Sequence, residues 1–172
     1  MKTMHDTGVD DMKIALLIDV SNLYYCIGAK YKSKLNYKAL MEYIKPMGSI
    51  ITARAYGSQI RGEATGFISA LKNIGFECHF KTPKEYATDD PNRVRRKADW
   101  DVGIAMDMLT LAESGECDTV ILGTADGDMS PAIEACISKG VKVIVIGCGI
   151  SSTLKSITNV ECIEIPRSLM EG

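Results

Sequence analysis

The chain has 172 residues, 46% hydrophobic and 24% charged, with a net charge of −2. That is the balance of one globular domain with one substantial core. It excludes a chain that binds nucleic acid or anionic membrane by overall charge, so any such contact must come from a local basic patch. The six cysteines (Cys26, Cys78, Cys117, Cys136, Cys148, Cys162) form no C-x-x-C pair, and there are two histidines, His5 and His79. This argues against a zinc module and for reduced, buried thiols, hence a cytoplasmic location. No signal pattern precedes the domain and no apolar run is long enough to span a bilayer.

In chain order, residues 1–12 are polar and unpatterned and read as a flexible tail; residues 13–172 read as a single domain. Short apolar, β-rich runs predict strands at 13–19, 50–57, 77–81, 118–124, 141–147 and 160–165. A helix follows the first strand. Residues 36–47, 63–75, 99–114 and 129–140 carry apolar residues near helical spacing, with Gly75 and Gly140 suited to ending helices. Apolar strands alternating with helices predict a three-layer α/β/α domain around a mostly parallel sheet of five to six strands, Rossmann-like in plan. Residues 82–98, "TPKEYATDDPNRVRRKA", hold two prolines and show no clear period. They read as a long, functional or flexible loop.

In such a sheet, ligands bind beyond the carboxyl ends of the strands, near a switch in strand order. The first strand ends in Asp19, followed by Ser21 and Asn22; the fourth is followed by Thr124, Asp126 and Asp128. Asp99, Asp101 and Asp107 follow the long loop. Each has an ordinary alternative. Asp19, Ser21, Asp101, Asp128 and Ser130 could cap helices, and the Asp126-Gly127 pair could make a turn. Asp107 is harder to dismiss, because it falls mid-helix among Ile104, Ala105, Met108 and Leu111. Asp101 and Asp107 lie roughly 120° apart around a helix axis, so both cannot aim squarely at one spot. One faces the shared site, and the other supports it or binds a neighbouring group.

Converging carboxylates repel unless something compensates, and the usual compensation for an all-oxygen set is Mg²⁺ or Mn²⁺. Such a centre suits phosphoryl chemistry. The basic run Asn92–Lys97 precedes the acidic helix. Lys81, Lys84, Arg93, Arg95, Arg96 and Lys97 against Glu85, Asp89 and Asp90 leave residues 81–97 at net +3. A basic arm beside an acidic metal site is what a phosphodiester backbone needs, although a charge run alone is more often a solvated loop. Tyr86 and Trp100 flank it and could stack on bases or simply pack.

Taken together, Asp19-x-x-Asn22, Lys97 followed by Asp101 and Asp107, and Thr124-x-Asp126-x-Asp128 resemble the NYN family, especially its LabA-like branch, within the PIN-like metal-dependent nucleases. The resemblance runs from about Lys13 to Pro166. Lys97 stands one residue further from Asp101 than in the common form, Ala125 stands where glycine is frequent, and Met129 where phenylalanine is. The resemblance implies a PIN-like fold and RNA cleavage with Mg²⁺ or Mn²⁺. Asp19, Asp101, Asp126 and Asp128 would hold one or two ions, and Asn22 would orient Asp19 or a phosphate. Thr124 would hydrogen-bond a ligand carboxylate or metal-bound water, with Asp107 and Ser21 in support. Arg93, Arg95, Arg96 and Lys97 would hold single-stranded or structured RNA. A homodimer through the glycine-bearing helices is compatible with the pattern.

Two other readings stay open. One is a non-catalytic RNA-binding or regulatory module. The other is a phosphatase of the haloacid dehalogenase type, which would need a second acid where Ser21 stands.

Overall fold

The computed structural model describes residues 12–59, 64–82, 84–87, 94–97 and 100–172, with 84–87 and 94–97 in backbone only. The tail expected at residues 1–12 therefore lies outside the described residues except for Met12, whose carbonyl accepts from the Ser49 N–H.

The sheet is built on β1 (Lys13–Asp19), whose residues Ile14 through Ile18 are fully buried. Ile14, Leu16 and Ile18 enter one core cluster; Ala15 and Leu17 enter the other. This is the period of two that a strand covered on both faces requires. Burying such a side chain contributes about 1.5–3 kcal/mol relative to exposing it.

Chain order then runs α1 (Val20–Tyr31), α2 (Tyr37–Ile44), a single 3₁₀ turn (Lys45–Met47) and β2 (Ser49–Ser58). It continues with α3 (Thr65–Ile74) and β3 (Glu77–Lys81). The two strands β4 (Lys84–Ala87) and β5 (Val94–Lys97) follow. Then come α4 (Asp101–Ser114), β6 (Thr119–Gly123), a 3₁₀ turn (Gly127–Met129) and α5 (Ser130–Ser138). The chain closes with β7 (Lys142–Gly147), α6 (Ser152–Lys155), β8 (Glu161–Glu164) and a last 3₁₀ turn (Arg167–Leu169).

The main sheet has six strands in the order β3-β2-β1-β6-β7-β8, every pair parallel. Buried residues of α1, α2 and α3 share one core cluster, and those of α4, α5 and α6 share the other. The predicted three-layer α/β/α architecture is what forms. The strand order reverses between β1 and β6, so the switch point lies beyond Asp19 and Gly123. No helix among the described residues is long and apolar enough to cross a membrane.

One expectation is corrected. Residues 82–98, read as a loop, contain the antiparallel ribbon β4–β5, with Tyr86 opposite Arg95 and Lys84 opposite Lys97. Its strands have four residues each and form a sheet of their own. They therefore carry no apolar alternation of the kind that marks a core strand.

Candidate metal centre at the sheet switch point

Asp19 caps α1: its carboxylate accepts from the Asn22 backbone N–H at 3.2 Å. The carboxylate is nearly buried at the top of β1. The Asn22 side chain reaches across the switch point, where its Oδ1 accepts from the Ala125 N–H at 2.8 Å. Asn22 thus ties the first turn of α1 to the loop after β6. Ser21 is half-buried in the same turn.

That loop is shaped from within. Thr124 is fully buried, and its Oγ1 accepts from the Asp126 N–H at 3.2 Å. Asp126 Oδ1 in turn accepts from the Asp128 N–H at 2.9 Å, capping the 3₁₀ turn that leads into α5. The loop rests on Gly147 of β7, where a Cβ would fall 2.4 Å from the Thr124 carbonyl oxygen. Only glycine permits that approach.

Asp101 arrives from the other direction, in the first turn of α4. One carboxylate oxygen from each of Asp101, Asp126 and Asp128 lies within 4.8 Å of the others. Asp101 and Asp126 are half-buried and Asp128 is exposed, which leaves the group open on one side. Asp19, at the end of the neighbouring strand β1, caps α1 and is not one of that tight trio. Its charge nevertheless reaches the same place. Burial pushes the Cys26 thiol up, and the carboxylates of Asp19, Asp126 and Glu164 push it further.

Asp107 faces elsewhere. Its Oδ2 accepts from the Tyr56 hydroxyl at 2.6 Å and lies 3.5 Å from Arg54 Nη1. Burial, followed by the Asp107 carboxylate, raises the Tyr56 pKa well above its ordinary value, so the hydroxyl stays a donor. Trp100 braces the same corner. Its indole N–H donates to the Gly57 carbonyl at 2.7 Å, and its ring lies 5.5 Å from that of Tyr56, centroid to centroid. Lys81 Nζ sits over the Trp100 ring at 4.4 Å. Arg54, Tyr56 and Trp100 therefore fasten α4 to β2 on either side of Asp101. Trp100, read in the sequence as able to stack on bases or pack, packs here; Arg54 and Tyr56 were not singled out. The available signal was Arg54 and Tyr56 two apart in a strand, which puts them on one face. Arg93 lies outside the described residues, and the side chains of Arg95, Arg96 and Lys97 are not described.

The donor set is all carboxylate oxygen, at separations that a single hard cation can bridge, and such sets suit Mg²⁺ or Mn²⁺. An open parallel α/β sheet with an acidic cleft at its switch point defines the class of domain. Within that class, the NYN domain model matches residues 13–165, and the chain belongs to this PIN-like nuclease family.

Two curated relatives are similar in sequence. An uncharacterized protein of Methanocaldococcus jannaschii is 32% identical over 149 residues, which is 86% of this chain and 53% of that protein. The chain thus spans about half the length of that relative. The Low amplitude and bright protein LabA of Synechococcus elongatus is 27% identical over 140 residues, 78% of this chain and 73% of LabA. A crystal structure of a protein of unknown function from Vibrio parahaemolyticus superposes with a TM-score of 0.79 at 28% identity. That match covers 99% of this chain and all of the other.

Proposed function

We propose that the protein is a metal-dependent ribonuclease that hydrolyses RNA phosphodiester bonds at the β1–β6 cleft. The observation that carries this reading is the trio Asp101, Asp126 and Asp128, drawn from two separate segments into one 4.8 Å group, with the β6 loop tied to the turn after Asp19 through Asn22. Four carboxylates in a cleft cost stability through mutual repulsion unless a cation is held there.

Asp101, Asp126 and Asp128, with Asp19 beside them, would hold Mg²⁺ or Mn²⁺. Bound there, the ion supplies an activated water and charge neutralisation at phosphorus. The protein's own groups set the stage. Thr124 and the Asp128 N–H fix the Asp126 carboxylate, and Asn22 keeps the loop registered against Asp19. Trp100 at the start of α4 and the Tyr56–Asp107 pair in its second turn hold the helix, and so Asp101, in place. The segment 93–97, with Arg93, Arg95, Arg96 and Lys97, follows β3 and precedes Asp101 directly in the chain, where it would contact the RNA backbone.

The test is Mn²⁺- and Mg²⁺-dependent cleavage of end-labelled RNA by the Asp19→Asn variant. Asparagine caps a helix as well as aspartate does, so the fold is retained while a charge is lost. We expect cleavage to disappear with an unchanged circular dichroism spectrum. Cleavage at the wild-type rate would overturn the proposal, and RNA binding without cleavage by the wild type would favour a non-catalytic module.

A further inference from the structure

The face of α1 that points away from the core bears two tyrosines, Tyr24 at 61% and Tyr25 at 74% exposure, with their rings packed edge to face 5.7 Å apart. Exposed aromatic pairs are unusual on a helix whose other face (Val20, Leu23, Ile27) is fully committed to the core. They open onto a depression of about 460 Å³ that continues past Gly28 to Lys32 and Lys34.

The sequence around them is one-sided in charge, with Glu164 acting on Lys30 from across the fold. From Val20 to Met41 the sequence contains Lys30, Lys32, Lys34 and Lys38 and no acidic residue, in a chain of net charge −2. All four lysines are exposed. Arg167 adds a fifth cation, 5.6 Å from the Tyr31 ring centroid, with Lys30 Nζ 5.2 Å from the same centroid. Glu171 is the one acidic side chain among the described residues lining the depression.

The position matters as much as the composition. α1 starts at the metal centre, where Asp19 and Asn22 form one wall. At 1.5 Å rise per residue, Tyr25 stands only about 5–6 Å along the axis from Ser21 and Asn22. Lys32 stands about 15 Å from the site wall, roughly the reach of a few nucleotides of extended chain.

We propose that the α1 face is a track for single-stranded RNA, with Tyr24 and Tyr25 stacking on bases and Lys32 and Lys34 neutralising phosphates. Aromatic planes beside a cationic stripe are the recurring way to hold a single strand without reading its sequence. A second copy of this chain is the less suitable occupant, because a two-fold interface would set this lysine-rich face against itself. The inference rests on the ribonuclease reading for its substrate, but its test does not depend on cleavage.

The experiment is fluorescence anisotropy of a 5′-labelled, unstructured 20-nucleotide RNA with the full chain in EDTA, between 50 and 200 mM salt. Both variants change exposed side chains, and circular dichroism melting checks that they fold as the wild type does. Tyr24→Ala with Tyr25→Ala should weaken binding about 10-fold, given what base–aromatic stacking contributes. Lys32→Ala with Lys34→Ala should flatten the log–log salt slope by about 1.4, the share of two phosphate contacts on a single strand.

Wild-type affinity and slope in both variants would overturn the proposal, as would a wild-type protein that binds no RNA. So would a concentration-dependent dimer in sedimentation velocity that the tyrosine variant abolishes while RNA affinity stays unchanged. Loss of binding in the variants, with no Mn²⁺-dependent cleavage by the wild type, would remove the ribonuclease reading and leave the track standing.

Discussion

Replacing Tyr56 by phenylalanine tests the hydroxyl that positions the acidic helix. The Tyr56 ring is completely buried between β2 and α4, and its hydroxyl donates to Asp107 Oδ2 at 2.6 Å. That distance is in the range of charge-assisted O–H···O⁻ bonds. Phenylalanine keeps the ring and its packing and deletes only the hydroxyl, which also meets the Arg54 guanidinium. A hydrogen bond to a charged group contributes about 1.5–3 kcal/mol. The Asp107 side chain is 37% exposed and retains Arg54 at 3.5 Å, so water and the guanidinium recover part of the loss. We therefore expect about 1.5 kcal/mol of destabilisation, and a melting temperature lower by about 3–6 °C for a domain of this size. The assay is urea denaturation followed by circular dichroism, together with a double-mutant cycle against Asp107→Asn. The two changes should be strongly non-additive, with an interaction energy of about 1 kcal/mol or more. A loss below about 0.5 kcal/mol, or additive effects, would refute the claim that the hydroxyl's main work is to hold Asp107.

Asn22→Ala removes the acceptor of the Ala125 N–H and should cost about 1–2 kcal/mol in denaturation while slowing metal-dependent cleavage. A variant of wild-type stability would show that water replaces the side chain. Gly147→Ala places a Cβ 2.4 Å from a backbone oxygen of Thr124, so the loop must shift; we expect about 2 kcal/mol or more of destabilisation by calorimetry.

Glu164 gives a pH-dependent case. Burial alone would raise its pKa, but the backbone N–H groups of Ile150 and Gly149, with Lys30 and Lys155, outweigh it and hold the pKa below the usual value. A group whose folded pKa is depressed stabilises the fold above its unfolded pKa, about 4.3, and loses that contribution as pH falls through the folded pKa. With its side chain 39% exposed, Glu164→Gln should cost about 1 kcal/mol at pH 7 and little near pH 3, read from urea midpoints at each pH. An equal cost at both values would contradict the assignment.

Much of the fold was legible because the sheet is buried on both faces. Each strand is a short apolar run, and each predicted strand has its counterpart within a residue or two. The helical phase of Asp101 and Asp107 was legible too. About 120° of separation meant two destinations, and the molecule sends Asp101 to Asp126 and Asp128 and Asp107 to Tyr56 and Arg54. The destination of Asp107 was not legible, because it depends on the register of β2 against β1, which pairs Asp19 with Tyr56. The ribbon β4–β5 escaped for a different reason: polar four-residue strands leave no hydrophobic pattern to detect. Thr124 was expected to bond a ligand carboxylate or water. Its hydroxyl accepts from the Asp126 N–H, a loop-internal bond that only the turn geometry reveals.

The central claim is that carboxylates from α4 and the β6 loop form one divalent-cation site. Calorimetric titration of Mn²⁺ into the wild type and into Asp126→Asn tests it most directly. The wild type should bind saturably and the variant with a Kd at least about 10-fold weaker, since one of three clustered oxygen donors loses its charge. Equal affinity in the two proteins, or no saturable binding by the wild type, would contradict it.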